Sequence, residues 1–358
     1  MAAGLSKTTR TVLGLPFLGL AVLCFWAMDM EKLLAHQQPF LESGKIEFDG
    51  GSIPILSYFY YFEFLDDLWR RATLTFSPST LAYDSISSWQ MFSFLHDLGP
   101  IYAVWYLESY RNGNRFTSAY FPTIFIFAGQ LLGIATVAPA WCFLSFVLGP
   151  SPSEIARSGR GREIRAGELP FLLPIILTFH TAEMFAAFCS PTPEARHYWT
   201  WAWQMAHLEV GVLEFIVARL WSTVSSAKTN SRTGAVSLVT FLAVFGSVSS
   251  GVWIYTLLSA PHSISEIFAL ERVVHSDFIS HTRWALQADE VFAFASSFLW
   301  LLYSLMDLGV AGIEGKKVII PVALFPIVVA CLGPGSAFAL GWYWRDTLIQ
   351  GGKVKGLK

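Results

Sequence analysis

The sequence predicts an all-α protein, a polytopic bundle of about eight transmembrane helices that forms a single membrane-embedded domain over residues 1–358. Three observations carry this. Hydrophobic residues make up 54% of the chain and charged residues only 14%, against roughly 25% charged in soluble domains. The mean hydropathy is +0.48. Apolar runs of about 17–25 residues, long enough to cross a bilayer as a helix, recur from one end to the other.

The first run, 11–28 (TVLGLPFLGLAVLCFWAM), follows Lys7 and Arg10 and resembles the apolar part of a signal peptide. Asp29-Met30-Glu31-Lys32 comes next, without a clear small-residue cleavage site, so a retained span is expected. The stretch 53–69 mixes acids with aromatics and reads as a ninth crossing, or as a re-entrant or interfacial helix. Spans then follow at 86–108, 121–148, 169–190, 199–222, 236–259, 290–312 and 317–343. The longest connections are 29–85 and 260–289, while 149–168 is a Gly/Ser/Arg-rich exposed loop. None is large enough for a separate soluble domain, which places the work in the bilayer or at its surface. Lys and Arg divide almost evenly between the two sides with or without the ninth crossing, so orientation stays open. No repeat between the halves is visible, unlike the pattern of many transporters.

The net charge of −2 lacks the basic footprint of a nucleic-acid partner, leaving membrane lipid and a lipophilic small molecule as partners. Cys24, Cys142, Cys189 and Cys331 sit in apolar runs without CxxC or Cys/His spacing and read as small buried hydrophobes.

Ionisable groups inside spans cost about 2.5–3.5 kcal/mol each on the lenient insertion scale, so they usually face a cavity or the bundle interior. Asp97 and Glu108 are eleven residues apart, close to three turns, and share a face. His180 and Glu183 stand at i, i+3. Gln204, His207, Gly211 and Glu214 form a stripe with spacings 3, 4, 3, and Ser297, Ser304 and Asp307 form another. The simplest packing turns these four faces toward a common cavity. Structural interhelical hydrogen bonds and interfacial anchoring, the latter for Glu108 and Asp307 near span ends, are the competing readings. A di-metal carboxylate site wants Glu-x-x-His on two helices. The single His180-Thr-Ala-Glu183 and the His207-Leu-Glu209 do not supply it, so no metal is expected. Nor is there a haem or dinucleotide signature, so no cofactor is expected. Asp66-Asp67-Leu68-Trp69-Arg70 lacks the last acid of a DDxxD diphosphate–Mg²⁺ motif.

An aromatic-rich membrane cavity with a few acids suits a lipophilic substrate and acid–base chemistry. A buried carboxylic acid that keeps its proton serves as a general acid. Aromatic faces stabilise a developing cation by about 0.5–2 kcal/mol each. With "LHDLGPIYAVWYLESYRNGN" (95–114) downstream of "YYFEFLDDLWRR" (60–71), the whole chain resembles the fungal integral-membrane terpene cyclases of meroterpenoid biosynthesis, of the ascochlorin, ascofuranone and macrophorin type. The resemblance implies cofactor-free, protonation-initiated cyclisation of a farnesyl chain on an aromatic polyketide, in the endoplasmic reticulum membrane. It places no catalytic residue. On that reading Asp97, Glu108, Glu63 or Asp66 supplies the proton, His180 with Glu183 or His207 with Glu214 orients or deprotonates, and Asp307 is a further candidate. A transporter or receptor for a small lipophile, and a sterol-isomerase-like enzyme, are the alternatives.

Within "YYFEFLDDLWRR", helical spacing lets Arg70 and Arg71 neutralise Asp66 and Asp67. Glu63, among Tyr60, Phe62 and Phe64, is then the unpaired acid expected to be buried.

Overall fold

The computed structural model describes residues 4–48, 51–165, 167, 169–225, 237–270 and 275–351. α1 (Lys7–Met28) starts at Ser6, whose hydroxyl accepts the Thr9 N–H, and α2 (Met30–Ser43) follows after a turn at Asp29. An antiparallel hairpin pairs β1 (Lys45–Phe48) with β2 (Gly51–Pro54), setting Ile46 opposite Ile53 and burying both. Next come α3 (Glu63–Thr80), α4 (Ser85–Tyr110), α5 (Pro122–Leu132), α6 (Ile134–Val147) and the short α7 (Pro152–Arg157). α8 (Leu169–Ile176) runs through a π turn at Leu177–Ala182 into α9 (Glu183–Cys189). The remainder is α10 (Pro193–Gln204), α11 (Ala206–Ser225), α12 (Leu238–Ser259), α13 (Ile264–Phe268), α14 (Phe278–Val310), α15 (Gly315–Leu332) and α16 (Pro334–Gly351).

The chain is an all-α helical bundle, and five described segments are long and apolar enough to cross a membrane. They are Lys7–Ser43, Leu169–Cys189, Leu238–Ser259, Phe278–Val310 and Gly315–Leu332. α4 is the central rod. Every residue from Ser93 to Tyr110 is buried, because α3, α12, α14 and α16 all pack on it. Such a helix carries no amphipathic stripe. α15 is the opposite case, with no buried residue, as expected of a face turned to lipid. α1 packs against α6 and α14.

Several predicted spans differ from the helices observed. The run 121–148 is two helices, broken at Gly133, and 317–343 is two helices, broken at Gly333; both glycines have φ 84°. Only glycine adopts that backbone without strain, so these glycines mark the breaks. The run 199–222 divides at Met205, and its first helix begins earlier, at Pro193 after the Thr192 cap. The span expected at 290–312 begins at Phe278, where Asp277 caps it, and extends about 50 Å. The stretch 53–69 is no single helix: it holds the end of the hairpin, a turn, and the start of α3. α3 buries Asp66, Trp69, Thr73, Leu74 and Ser77 at helical spacing and lies on the bundle by that face.

Candidate active site

Two buried aspartates close the two helix breaks. Backbone that leaves helical geometry at membrane depth needs partners from the protein. At the Gly133 break, Asp289 Oδ1 of α14 accepts the Ala135 N–H at 2.7 Å. At the Gly333 break, Asp97 Oδ1 of α4 accepts the Gly335 N–H at 3.3 Å and the Ser249 hydroxyl at 2.5 Å. The exchange is reciprocal. A helix from the first half caps a break in the second, and a helix from the second half caps a break in the first.

Asp289 lies in the wall of a cavity. A space of about 90 Å³ lies between α3, α4, α5, α10 and α14, and Asp289, Tyr102, Trp203, Phe76, Phe94 and Gln130 are among its walls. One water needs roughly 10–15 Å³ by this measure, so the space admits the reacting end of an isoprenoid rather than a whole prenylated ring system. Phe76 meets Trp203 edge-on with ring centroids 5.2 Å apart, and Gln130 donates to the Gln204 Oε1 at 2.8 Å.

Behind this wall lie the two histidines read from sequence. Trp203 Nε1 donates to His180 Nδ1 at 3.2 Å, and His180 Nε2 donates to the Leu95 carbonyl at 3.1 Å. One tautomer satisfies both bonds, which leaves His180 no free nitrogen and fixes the indole. The His207 ring stands 4.8 Å from Tyr102 and 5.7 Å from His180, centroid to centroid. Its Nε2 is buried and has no hydrogen-bond partner among the described residues. Glu183 is partly buried and its Oε2 likewise lacks one.

The other acids named from sequence lie apart. Glu108 is buried in an ionic cluster: its carboxylate receives Arg111 Nη2 at 3.1 Å, Arg345 Nη1 at 2.8 Å, Trp342 Nε1 at 2.7 Å and Asn114 Nδ2 at 2.7 Å. Asp346 takes a further bond from Arg111 at 2.7 Å. Asp97 and Glu108 do share a face of α4, but that face is packed on α16, through Gly335 and through Trp342 with Arg345. Asp307 accepts the backbone N–H groups of Leu5 at 2.7 Å and Ser153 at 2.8 Å, tying the N-terminal segment and the start of α7 to α14. Glu214 accepts the Tyr110 hydroxyl at 2.6 Å. The four polar faces therefore serve several separate contacts rather than one shared cavity.

The expectation for 60–71 is corrected at Glu63 and at Asp66, and holds at Asp67, which Arg70 neutralises. Glu63 is exposed at the first turn of α3, because its neighbours Tyr61, Phe62 and Phe64 also point outward. Asp66 is the buried acid, and it accepts the backbone N–H groups of Phe59 at 2.9 Å and Tyr60 at 2.8 Å rather than pairing with Arg70. Arg70 binds Asp67 instead, at 3.0 Å.

Sequence reasoning passed over Asp289, Tyr102 and Trp203, and also Glu290, whose carboxylate accepts the Gln90 amide at 2.7 Å. The available signal was a glycine inside each apolar run, since a break at membrane depth calls for a buried capping group elsewhere. Among the described residues, no group of three or more His, Cys, Asp or Glu is arranged to hold a metal ion.

The CtvD domain family model matches residues 11–350. The FAD-dependent monooxygenase verC1 of Penicillium polonicum is 30% identical over 351 residues, covering 96% of this chain and 43% of that protein. The FAD-dependent monooxygenase anuJ of Penicillium roqueforti is 25% identical over 358 residues, covering 97% of this chain and 42% of that protein. The terpene cyclase ctvD of Aspergillus terreus is 38% identical over 66 residues, 18% of this chain and 19% of that protein. The chain thus spans less than half the length of the two monooxygenase-named relatives. No solved structure matches. With the match running over nearly the whole chain, the protein belongs to the CtvD domain family, a fungal terpene cyclase-like family.

Proposed function

We propose that this chain is a membrane terpene cyclase. It protonates an epoxide, or a terminal alkene, of a farnesylated aromatic polyketide and guides the resulting cation to a meroterpenoid ring product. It does so in the endoplasmic reticulum membrane without a bound cofactor. The observation that carries the reading is the cavity within the bundle, whose walls include Asp289 together with Tyr102, Trp203, Phe76 and Phe94. An acid can start the reaction there. The π-faces then lower the cation's energy by about 0.5–2 kcal/mol each, more as water is excluded. His180 holds Trp203 in place through the indole hydrogen bond, and His207 backs Tyr102.

Two further points support the reading. The name of the Aspergillus terreus relative assigns cyclisation to that protein. The names of the longer relatives are compatible with an epoxide substrate, since FAD-dependent monooxygenases include enzymes that add one oxygen atom across a double bond.

Microsomes carrying the full chain should convert a phenol bearing a terminally epoxidised farnesyl chain into an isomeric ring product, with no added metal or nucleotide. Strict dependence on NADPH or Mg²⁺ would overturn this. Transfer of the unchanged probe across proteoliposomes, with no ring product, would favour a carrier.

A further inference from the structure

We infer that Asp289 is the proton donor of this cavity and that Asp97, its counterpart at the other helix break, is structural. The inference rests on the cyclase reading and names the acid that reading requires.

The two aspartates hold equivalent positions. Each lies on a long buried helix and caps the helix that follows a left-handed glycine, Asp289 at Gly133 and Asp97 at Gly333. Their surroundings then diverge. Asp97 is closed in: it is 0% exposed against 7% for Asp289, Ser249 donates to its Oδ1, its Oδ2 is buried without a partner among the described residues, and α16 approaches so closely that a Cβ on Gly335 would lie 2.5 Å from the Asp97 carbonyl oxygen. Asp289 forms part of the cavity wall beside Tyr102 and Trp203. A third acid supplies the contrast. Glu108 is held by the guanidinium groups of Arg111 and Arg345, so its charge is matched in place, whereas no Lys or Arg among the described residues pairs with Asp289. Neither aspartate has such a partner among the described residues, and charging a carboxyl group isolated from water is costly, so access to the cavity is what distinguishes Asp289. Acting as the donor, Asp289 would keep the Ala135 N–H on Oδ1, as a carbonyl oxygen does, and pass the proton of its other oxygen to substrate.

The step balances. The Asp289 proton passes to the epoxide oxygen and a C–O bond breaks, leaving a hydroxyl group and a cation. An alkene of the chain closes the ring on that cation. The final cation then loses a proton, and Asp289 is reprotonated, so substrate and product are isomers. Gly133 contributes through its backbone. Its φ of 84° makes the break that exposes the Ala135 N–H, and a Cβ there would lie 3.0 Å from Asp289 Oδ1.

The test uses the full chain in microsomes and the epoxidised farnesyl phenol as probe. Asp289→Asn keeps an oxygen to accept the Ala135 N–H but has no acidic proton, so turnover should fall by about 10²–10⁴-fold with probe binding retained. Asp97→Asn keeps its cap in the same way and should still turn over. A second readout does not need turnover. Dicyclohexylcarbodiimide, which modifies protonated carboxyl groups in apolar surroundings, should label Asp289, with protection by the probe, and should leave Asp97 unlabelled. Turnover that survives Asp289→Asn but is lost in Asp97→Asn, or labelling of Asp97 in place of Asp289, overturns the assignment. If the wild-type chain binds the probe and shields Asp289 yet forms no ring, the cyclase reading fails while Asp289 stands as the cavity's acid.

Discussion

Glu108 is the residue whose removal should matter most to stability and least to chemistry. Its carboxylate is buried against Arg111 and Arg345, with Trp342 and Asn114 completing its bonds. Breaking a buried pair by deleting one partner costs about 3–5 kcal/mol, since the other charge is left uncompensated. Glu108→Ala should therefore lower the thermal unfolding temperature in detergent sharply, with turnover per folded molecule unchanged. His180→Ala acts differently. It leaves the Trp203 indole N–H unpaired, at about 1–3 kcal/mol, and frees one wall of the cavity. The expected result, read by chromatography of the ring products, is a broader product mixture rather than simple loss. The candidate acids were only partly legible at this scale. Acids within apolar runs could be found by counting, but their partners lie far off in sequence. Glu108 meets Arg345 at a separation of 237 residues. The swap of burial between Glu63 and Asp66 had a similar cause, because aromatic neighbours do not reveal which way they point. Tyr61 is 88% exposed.

Among the elements, the two broken helices carry the testable content. Gly335→Ala would drive a Cβ into the backbone of α4, where neither helix can yield cheaply. Gly133→Ala adds a strained backbone, about 1–3 kcal/mol, to a contact of 2.8 Å with Met28 Cε. Both variants should lose folded yield, measured as the monodisperse fraction after detergent extraction. Gly19, with nothing near its missing Cβ, should tolerate alanine. Long apolar runs were readable from hydropathy, because lipid imposes length and apolarity on every crossing. The breaks were not, since a glycine in an apolar run reads equally well as a packing residue. The start of α14 was hidden for a related reason. Asp289 and Glu290 end the apolar window although both are buried, so the run read as beginning at 290.

At the scale of the molecule, the five long apolar segments predict retention in the membrane pellet after alkaline carbonate washing, followed by immunoblot. Release into the supernatant would contradict a membrane-spanning bundle. The helical, membrane-compatible architecture was the most legible feature of the sequence, because composition alone separates it from soluble classes. What could not be read was the relation between the halves, which resides in two hydrogen-bonded aspartates and two glycine backbones rather than in any repeated string.

That reciprocity also has a consequence for how the protein is made. The Ala135 N–H finds its acceptor 154 residues later, at Asp289. At synthesis rates of about 5–20 residues per second, the first break emerges roughly 8–30 s before the side chain that closes it. During that interval the α5–α6 junction needs water, lipid headgroups or a chaperone as a stand-in partner. A ribosome stalled short of residue 289 would leave that junction open, and the membrane's quality-control machinery would have an exposed polar backbone to recognise.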